Sequence, residues 1–172
     1  MKKILTLILT LSLLFSLASC RDDGYEKITY REEGIEFFLP SSMRRSNVEG
    51  YHFYFSNLST TMVFAALKVD SDLLAEFELD ATATAGEYVD AVIAKGERDK
   101  EKMYFEYDER LDQYSFRYTY VDADDYEIFY YVVVTGDPGN IWYVEMCCEN
   151  EYSSDYLSTF VTWRKNIRTY TP

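Results

Sequence analysis

Histidine is nearly missing: the chain has one, His52, in 172 residues. With only three cysteines beside it, the residues for a metal centre of ordinary ligand spacing are not there. Bases are also scarce, 17 Lys and Arg against 30 Asp and Glu, for a net charge of −13. Binding to nucleic acid is driven by Lys and Arg on phosphates, so this charge disfavours it. The same field repels an anionic membrane surface. Repeats, low-complexity segments and Gly- or Pro-rich linkers are absent. So are Gly-x-Ser-x-Gly, Ser-x-x-Lys, His-Glu-x-x-His and a phosphate-cradling glycine loop. The expectation is a protein that is not an enzyme and carries no cofactor and no metal. No apolar run is long enough to cross a bilayer. The longest, residues 4–17, is 14 residues, or ~21 Å as a helix against a core of ~30 Å.

That run does carry information. Lys2 and Lys3 precede it, and Leu17-Ala18-Ser19-Cys20 ends it. A positive start, a short apolar stretch and small residues at its end are the parts of a secretory signal. The last four residues resemble the bacterial lipobox. The resemblance implies a diacylglyceryl group on the Cys20 thiol and cleavage that makes Cys20 the new N-terminus. Residues 1–19 are then the signal peptide, and residues 20–26 a lipidated tether. The tether's last six residues reach at most ~20 Å, which keeps the domain beside the membrane. A soluble secreted protein and an uncleaved apolar N-terminus are the alternatives. Two acyl chains anchor stably, at ~0.8 kcal/mol for each buried CH₂. The expected place is the extracytoplasmic face of a cell membrane, held by lipid. Arg21 stands where an Asp would signal retention in the inner of two membranes, so the outer membrane is open in a double-membrane source. Losing Lys2 and Lys3 takes the charge from −13 to −15, and the acyl chains must hold the domain without help from its surface.

The other cysteines, Cys147 and Cys148, are neighbours. On a strand they point to opposite faces, so an ordinary strand cannot bridge them. One buried thiol and one more exposed is the simplest outcome, with an intermolecular disulfide through Cys147 as the alternative in an oxidising compartment.

Residues 27–172 read as one domain with room for a core. Strands are expected at 25–30 and 35–39, the second with Ile35, Phe37 and Leu39 alternating and Pro40 ending it. Residues 41–50, with Arg44 and Arg45, read as a polar loop. A hairpin is expected over 51–56 and 61–69, and a helical turn in 71–79. Thr84 and Glu87 form a capping-box pattern for a helix over 85–95, which Gly96 stops. Four strands follow, at 103–107, 113–121, 126–135 and 141–149. The third is apolar on both faces and belongs inside a sheet. Asp137-Pro138-Gly139-Asn140 is a turn. Tyr156, Phe160, Trp163 and Ile167 form one stripe of a helix over 153–168.

These elements describe an α+β domain, an antiparallel sheet covered by helices. Gly34-Ile35-Glu36-Phe37-Phe38-Leu39-Pro40, the Glu87-Tyr88 helix, the 142–148 strand and the aromatic terminal helix together resemble the PsbP-like α/β/α sandwich superfamily. The resemblance implies a non-catalytic binding or assembly role. It carries no site residues, because that superfamily has no shared site motif.

Three features could carry chemistry. Asp122-Ala123-Asp124-Asp125-Tyr126-Glu127 could hold Ca²⁺, but its sixth position is Glu and its twelfth Val133, unlike an EF-hand, and a solvated turn explains it. His52 could be a base or a ligand, or simply structural. Tyrosine is abundant, 17 residues. Phe53, Tyr54 and Phe55, and Phe129, Tyr130 and Tyr131, put aromatics on both faces of their strands. Surplus tyrosines could meet a protein or stack on sugar, or lie half-buried under helices. The expected function is a non-catalytic module for an envelope protein or component. A small-ligand or glycan binder using exposed tyrosines is the alternative, and a carboxylate hydrolase a further one.

Overall fold

The computed structural model describes residues 26–57, 59–96, 103–121 and 125–171. The Cys20 assignment, the signal peptide and most of the tether lie outside the described residues, as do Asp122, Ala123 and Asp124.

β1 (Lys27–Glu32) and β2 (Ile35–Pro40) form a hairpin in which Glu32 faces Ile35. The two residues between them, Glu33 and Gly34, have φ of 55° and 96°, as a type I′ turn requires. This turn fixes the register that buries Ile35, Phe37 and Leu39. The polar stretch after Pro40 holds a short edge strand, β3 (Arg44–Ser46), where a loop was expected. Its residues are all exposed, so no buried alternation marks it in the sequence. β4 (Phe53–Asn57) and β5 (Met62–Lys68) make the expected hairpin.

Two helices follow, α1 (Ser71–Glu76) and α2 (Ala85–Lys95). Asp70 caps α1 by accepting from the Leu73 N–H. At α2 the capping box is complete: Thr84 accepts from Glu87 N, and Glu87 accepts from Thr84 N. β6 (Tyr104–Asp108), β7 (Gln113–Val121), β8 (Glu127–Thr135) and β9 (Trp142–Glu149) form a meander. A 3₁₀ turn (Asn150–Tyr152) leads into α3 (Ser153–Arg164). The helix stops at Arg164, short of the expected 168. The chain must turn there to let β10 (Arg168–Thr169) join β2, and Ile167 is buried from beyond the helix.

The main sheet has seven antiparallel strands in the order β3-β4-β5-β9-β8-β7-β6, and the small sheet runs β1-β2-β10. β8 lies between β9 and β7, inside the sheet as its two apolar faces required. One face of the main sheet packs under α3 and the small sheet. Its core is aromatic, with Phe37 against Phe53, Phe55 and Phe64, and Phe64 against Trp163. On the opposite face, Val132, Val134 and Phe116 pack with Leu74, Tyr88, Val89 and Ile93 of α1 and α2. Helices on both sides of one sheet make this an α/β/α sandwich.

Candidate functional site

Strand register decides what the second face presents. The rows nearest α1 and α2 are covered. Beyond them comes the row Ser56–Val63–Cys147–Tyr130–Tyr118, and then Ile128–Tyr120. Val63, Cys147, Tyr130, Tyr118 and Ile128 are all half-buried, and Tyr120 is 52% exposed. Tyr118 and Tyr130 pack against the margin of the core under α1 and α2. Small side chains on β5 and β9 sit at the centre, with Tyr54 and Tyr51 to one side and Tyr118, Tyr120 and Tyr130 to the other.

The tyrosines are held rather than loose. Tyr51 donates to Glu145 Oε1 at 2.6 Å and lies 6.0 Å, ring to ring, from Tyr54. Burial, then the bond to Glu145, pushes the Tyr51 phenol far above its ordinary pKa. Tyr118 and Tyr130 stack at 5.0 Å and 8°. They stand face to face on adjacent strands. Burial, with Cys147 and Glu145 nearby, raises Tyr130 to about 12.

Cys147 lies on this face and Cys148 in the core on the other, both as free thiols. Burial is the main cause that pushes Cys147 up to about 12 and Cys148 to about 11. At neutral pH neither is an activated nucleophile.

At the end of the sheet, the start of β8 meets the turn after β9. Asp125, Tyr126, Glu127, Glu149, Asn150 and Glu151 line a hollow of about 330 Å³ there. Asn150 ties the two segments together, donating to Glu127 at 2.6 Å and accepting from Thr119 at 3.2 Å. Asp125 and Glu127, the described acids of the stretch read as a solvated turn, are therefore part of a larger acidic rim. Glu149 and Glu151 complete it, 22 or more positions on in the chain. Sequence reasoning missed that pairing. Only the return of β9 alongside β8 brings the two together. Among the described residues, no three His, Cys, Asp or Glu side chains are placed to hold a metal ion.

The remaining sequence candidates have structural places. His52 accepts from Lys68 N at 3.1 Å through Nδ1, and its ring meets Trp142 edge-on. Its Nε2 lies 3.9 Å from Glu33. Arg45 pairs with Glu32 and covers the Phe53 ring, whereas Arg44 is an exposed residue of the edge strand. Phe53, Phe55 and Tyr131 are buried on the covered face, and Phe129 packs against that core. Only Tyr54 and Tyr130 of the two aromatic triplets belong to the open face. Among the described residues, no helix is long and apolar enough to cross a membrane.

No family model matches the chain, and no curated protein matches it. Solved structures do resemble it. Cyanobacterial PsbP (CyanoP) from Synechocystis sp. PCC 6803 is 18% identical, covers 88% of this chain and 98% of its own, and superposes with a TM-score of 0.57. A Bacteroides thetaiotaomicron VPI-5482 protein is 9% identical over 86% of this chain, with a TM-score of 0.52, and this chain spans 49% of it. LpqN of Mycobacterium tuberculosis, involved in cell envelope biogenesis, is 10% identical over 88% of this chain and 94% of its own, with a TM-score of 0.43. The likeness to the first two is one of fold: the domain is a PsbP-like α+β sandwich.

Proposed function

We propose that this protein is a non-catalytic binding module, held at the extracytoplasmic face of a membrane by lipid on Cys20, that captures an envelope protein on its open sheet face. The observation that carries this reading is the asymmetry of the two sheet faces. One carries α3 and the small sheet over an aromatic core. The other is covered only in part by α1 and α2, and its remaining rows are lined with tyrosine. Tyrosine is amphipathic and enriched at protein interfaces, and an exposed patch of this kind marks an interaction site. The surface charge repels anionic lipid, so the acyl chains supply the anchor and leave the tyrosine face to a partner.

The test is photocrosslinking in intact cells. A benzophenone amino acid is placed at Tyr54 or Tyr120 on the open face, and at Asp72 on α1 as the control. Mass spectrometry of the captured material should give one recurrent envelope protein from the first two positions and not from the third. Background capture alone from Tyr54 and Tyr120 would overturn the reading. In the same cells, Cys20→Ala should move the protein out of the membrane fraction. If it stays there with its acylation unchanged, the lipid assignment is wrong.

A further inference from the structure

We infer that the domain rests its small sheet on the anionic lipid headgroups of the membrane that holds its anchor, which turns the open tyrosine face away from that membrane. This rests on the lipid on Cys20 and adds the orientation of the domain above it. Strand register decides what the outer side of the small sheet carries. Ile35, Phe37 and Leu39 of β2 are buried toward the main sheet. Glu36, Phe38 and Pro40 therefore point outward. So do the residues paired with them, Arg31, Thr29 and Lys27 of β1 and Arg168 of β10. These four partners are all exposed, with Phe38 half-buried among them. Among the paired residues there are three bases and one acid, Glu36, which lies 3.2 Å from Arg31. Arg31 also lies over the Tyr170 ring at 4.5 Å, and Arg168 donates to the Ile167 carbonyl at 2.6 Å. The face reverses the balance of the whole chain, 17 bases to 30 acids.

Two further observations say what covers this face. The first is the length of the tether. β1 begins at Lys27, and the six residues between it and Cys20 reach at most ~20 Å. The anchor thus joins the domain on its small-sheet side. The second is the opposite layer. Residues 70–95, which hold α1 and α2, contain seven acids and one base, Lys95. They pack on the far side of the main sheet, the side that carries the tyrosines. Near a negative surface the acidic layer is driven off and the basic sheet drawn in. Each Lys or Arg close to such a surface favours its orientation about fivefold. The net charge of −13 still keeps the protein surface from serving as an anchor by itself. It sets the orientation once the acyl chains hold. An acidic partner protein would meet the same three bases, but the tether already keeps them beside lipid.

The experiment uses the purified, lipidated full chain on vesicles. One set is phosphatidylcholine alone, and the other contains about one third phosphatidylglycerol. A fluorescent amino acid is placed at Thr29 on the small sheet or at Asp72 on α1, and an acceptor dye sits on the lipid headgroups. The layers of the sandwich separate the two positions by roughly 20 Å, so energy transfer on the anionic vesicles should be about twofold higher from Thr29. That gap should narrow on phosphatidylcholine alone, in about 1 M salt, and in the Lys27→Gln/Arg168→Gln variant. It should persist in Lys95→Gln/Arg110→Gln, which removes the same charge from exposed positions elsewhere. Equal transfer from the two positions, or stronger transfer from Asp72, overturns the inference. A gap that neither lipid charge nor Lys27→Gln/Arg168→Gln changes also overturns it, and leaves the tether alone to orient the domain. A chain that fails to float with the vesicles overturns the lipid on Cys20, and this orientation with it.

Discussion

Arg164 carries the most concentrated polar chemistry in the described chain. It is 4% exposed, at the end of α3. One Nη donates to Glu106 at 2.7 Å, Ser115 at 2.9 Å and Tyr131 at 3.3 Å, and the other reaches Asp108 at 3.5 Å. Burial works against its charge, but the bonds to Glu106 and Tyr131 outweigh that and raise its pKa above the ordinary arginine value. The side chain thereby fastens the terminal helix to β6, β7 and β8. Arg164→Ala should lower the unfolding free energy by ~3 kcal/mol, from lost bonds and a void beside Asp108. Arg164→Met keeps the stem's packing and should lose about half as much. Urea unfolding at neutral pH measures both, and equal losses would mean the charge, not the packing, dominates. The sequence puts Arg164 in a last helical turn, where a cation suits the helix dipole. It does not show that the carboxylates waiting there lie more than 50 positions earlier. Burial of a charged residue is set by tertiary pairing, which no local pattern encodes.

Elements with a strong internal period were legible, and those made by distant pairing were not. β2, α2 and β9 follow from alternation or capping, because one buried face imposes a period on the sequence. β3 and β10 are short and largely exposed, and they are strands only because β4 and β2 offer them an edge. The β8–β9 connection is a stricter case. Gly136 has φ of 115°, and a Cβ there would lie 2.2 Å from the Asn140 backbone oxygen. Neither strain can relax through a side-chain movement. Gly136→Ala should cost at least ~3 kcal/mol or prevent folding, whereas Gly139→Ala, with φ of 81° but open space around it, should cost ~1 kcal/mol. Thermal melts of the two variants separate these outcomes. At the start of α2, the bonds from the Thr84 N–H and hydroxyl hold the Glu87 carboxyl below its ordinary range. A depressed carboxyl stabilises the fold at pH above its unfolded value, and the contribution fades as pH falls through the folded one. Glu87→Gln should therefore be less stable than the parent near neutrality, and the two should converge in acid below about pH 4. A constant gap across that range would mean the glutamate acts through something other than its charge.

At the scale of the whole molecule, tyrosine content and acidity combine into one liability, which appears in alkali. Burial raises Tyr88 and Tyr130 to about 12, and the bond to Asp112 does the same for Tyr107. An unfolded tyrosine ionises near 10. The fold thus favours the protonated phenols. Their contribution is complete below about pH 10 and is lost as pH rises toward 12. Each phenolate formed also adds to a net charge already at −13, so repulsion acts in the same direction. Urea midpoints should be flat from about pH 7 to 9 and fall steeply above 10. Tyr88→Phe and Tyr130→Phe should each make the fall shallower. If neither substitution changes the slope, these two phenols do not carry the alkaline loss. The alternation in β7 and β8 already put Tyr118, Tyr120 and Tyr130 on a common face. Which rows of that face the helices would leave bare depended on where α1 and α2 dock, and that is a property of the assembled sandwich.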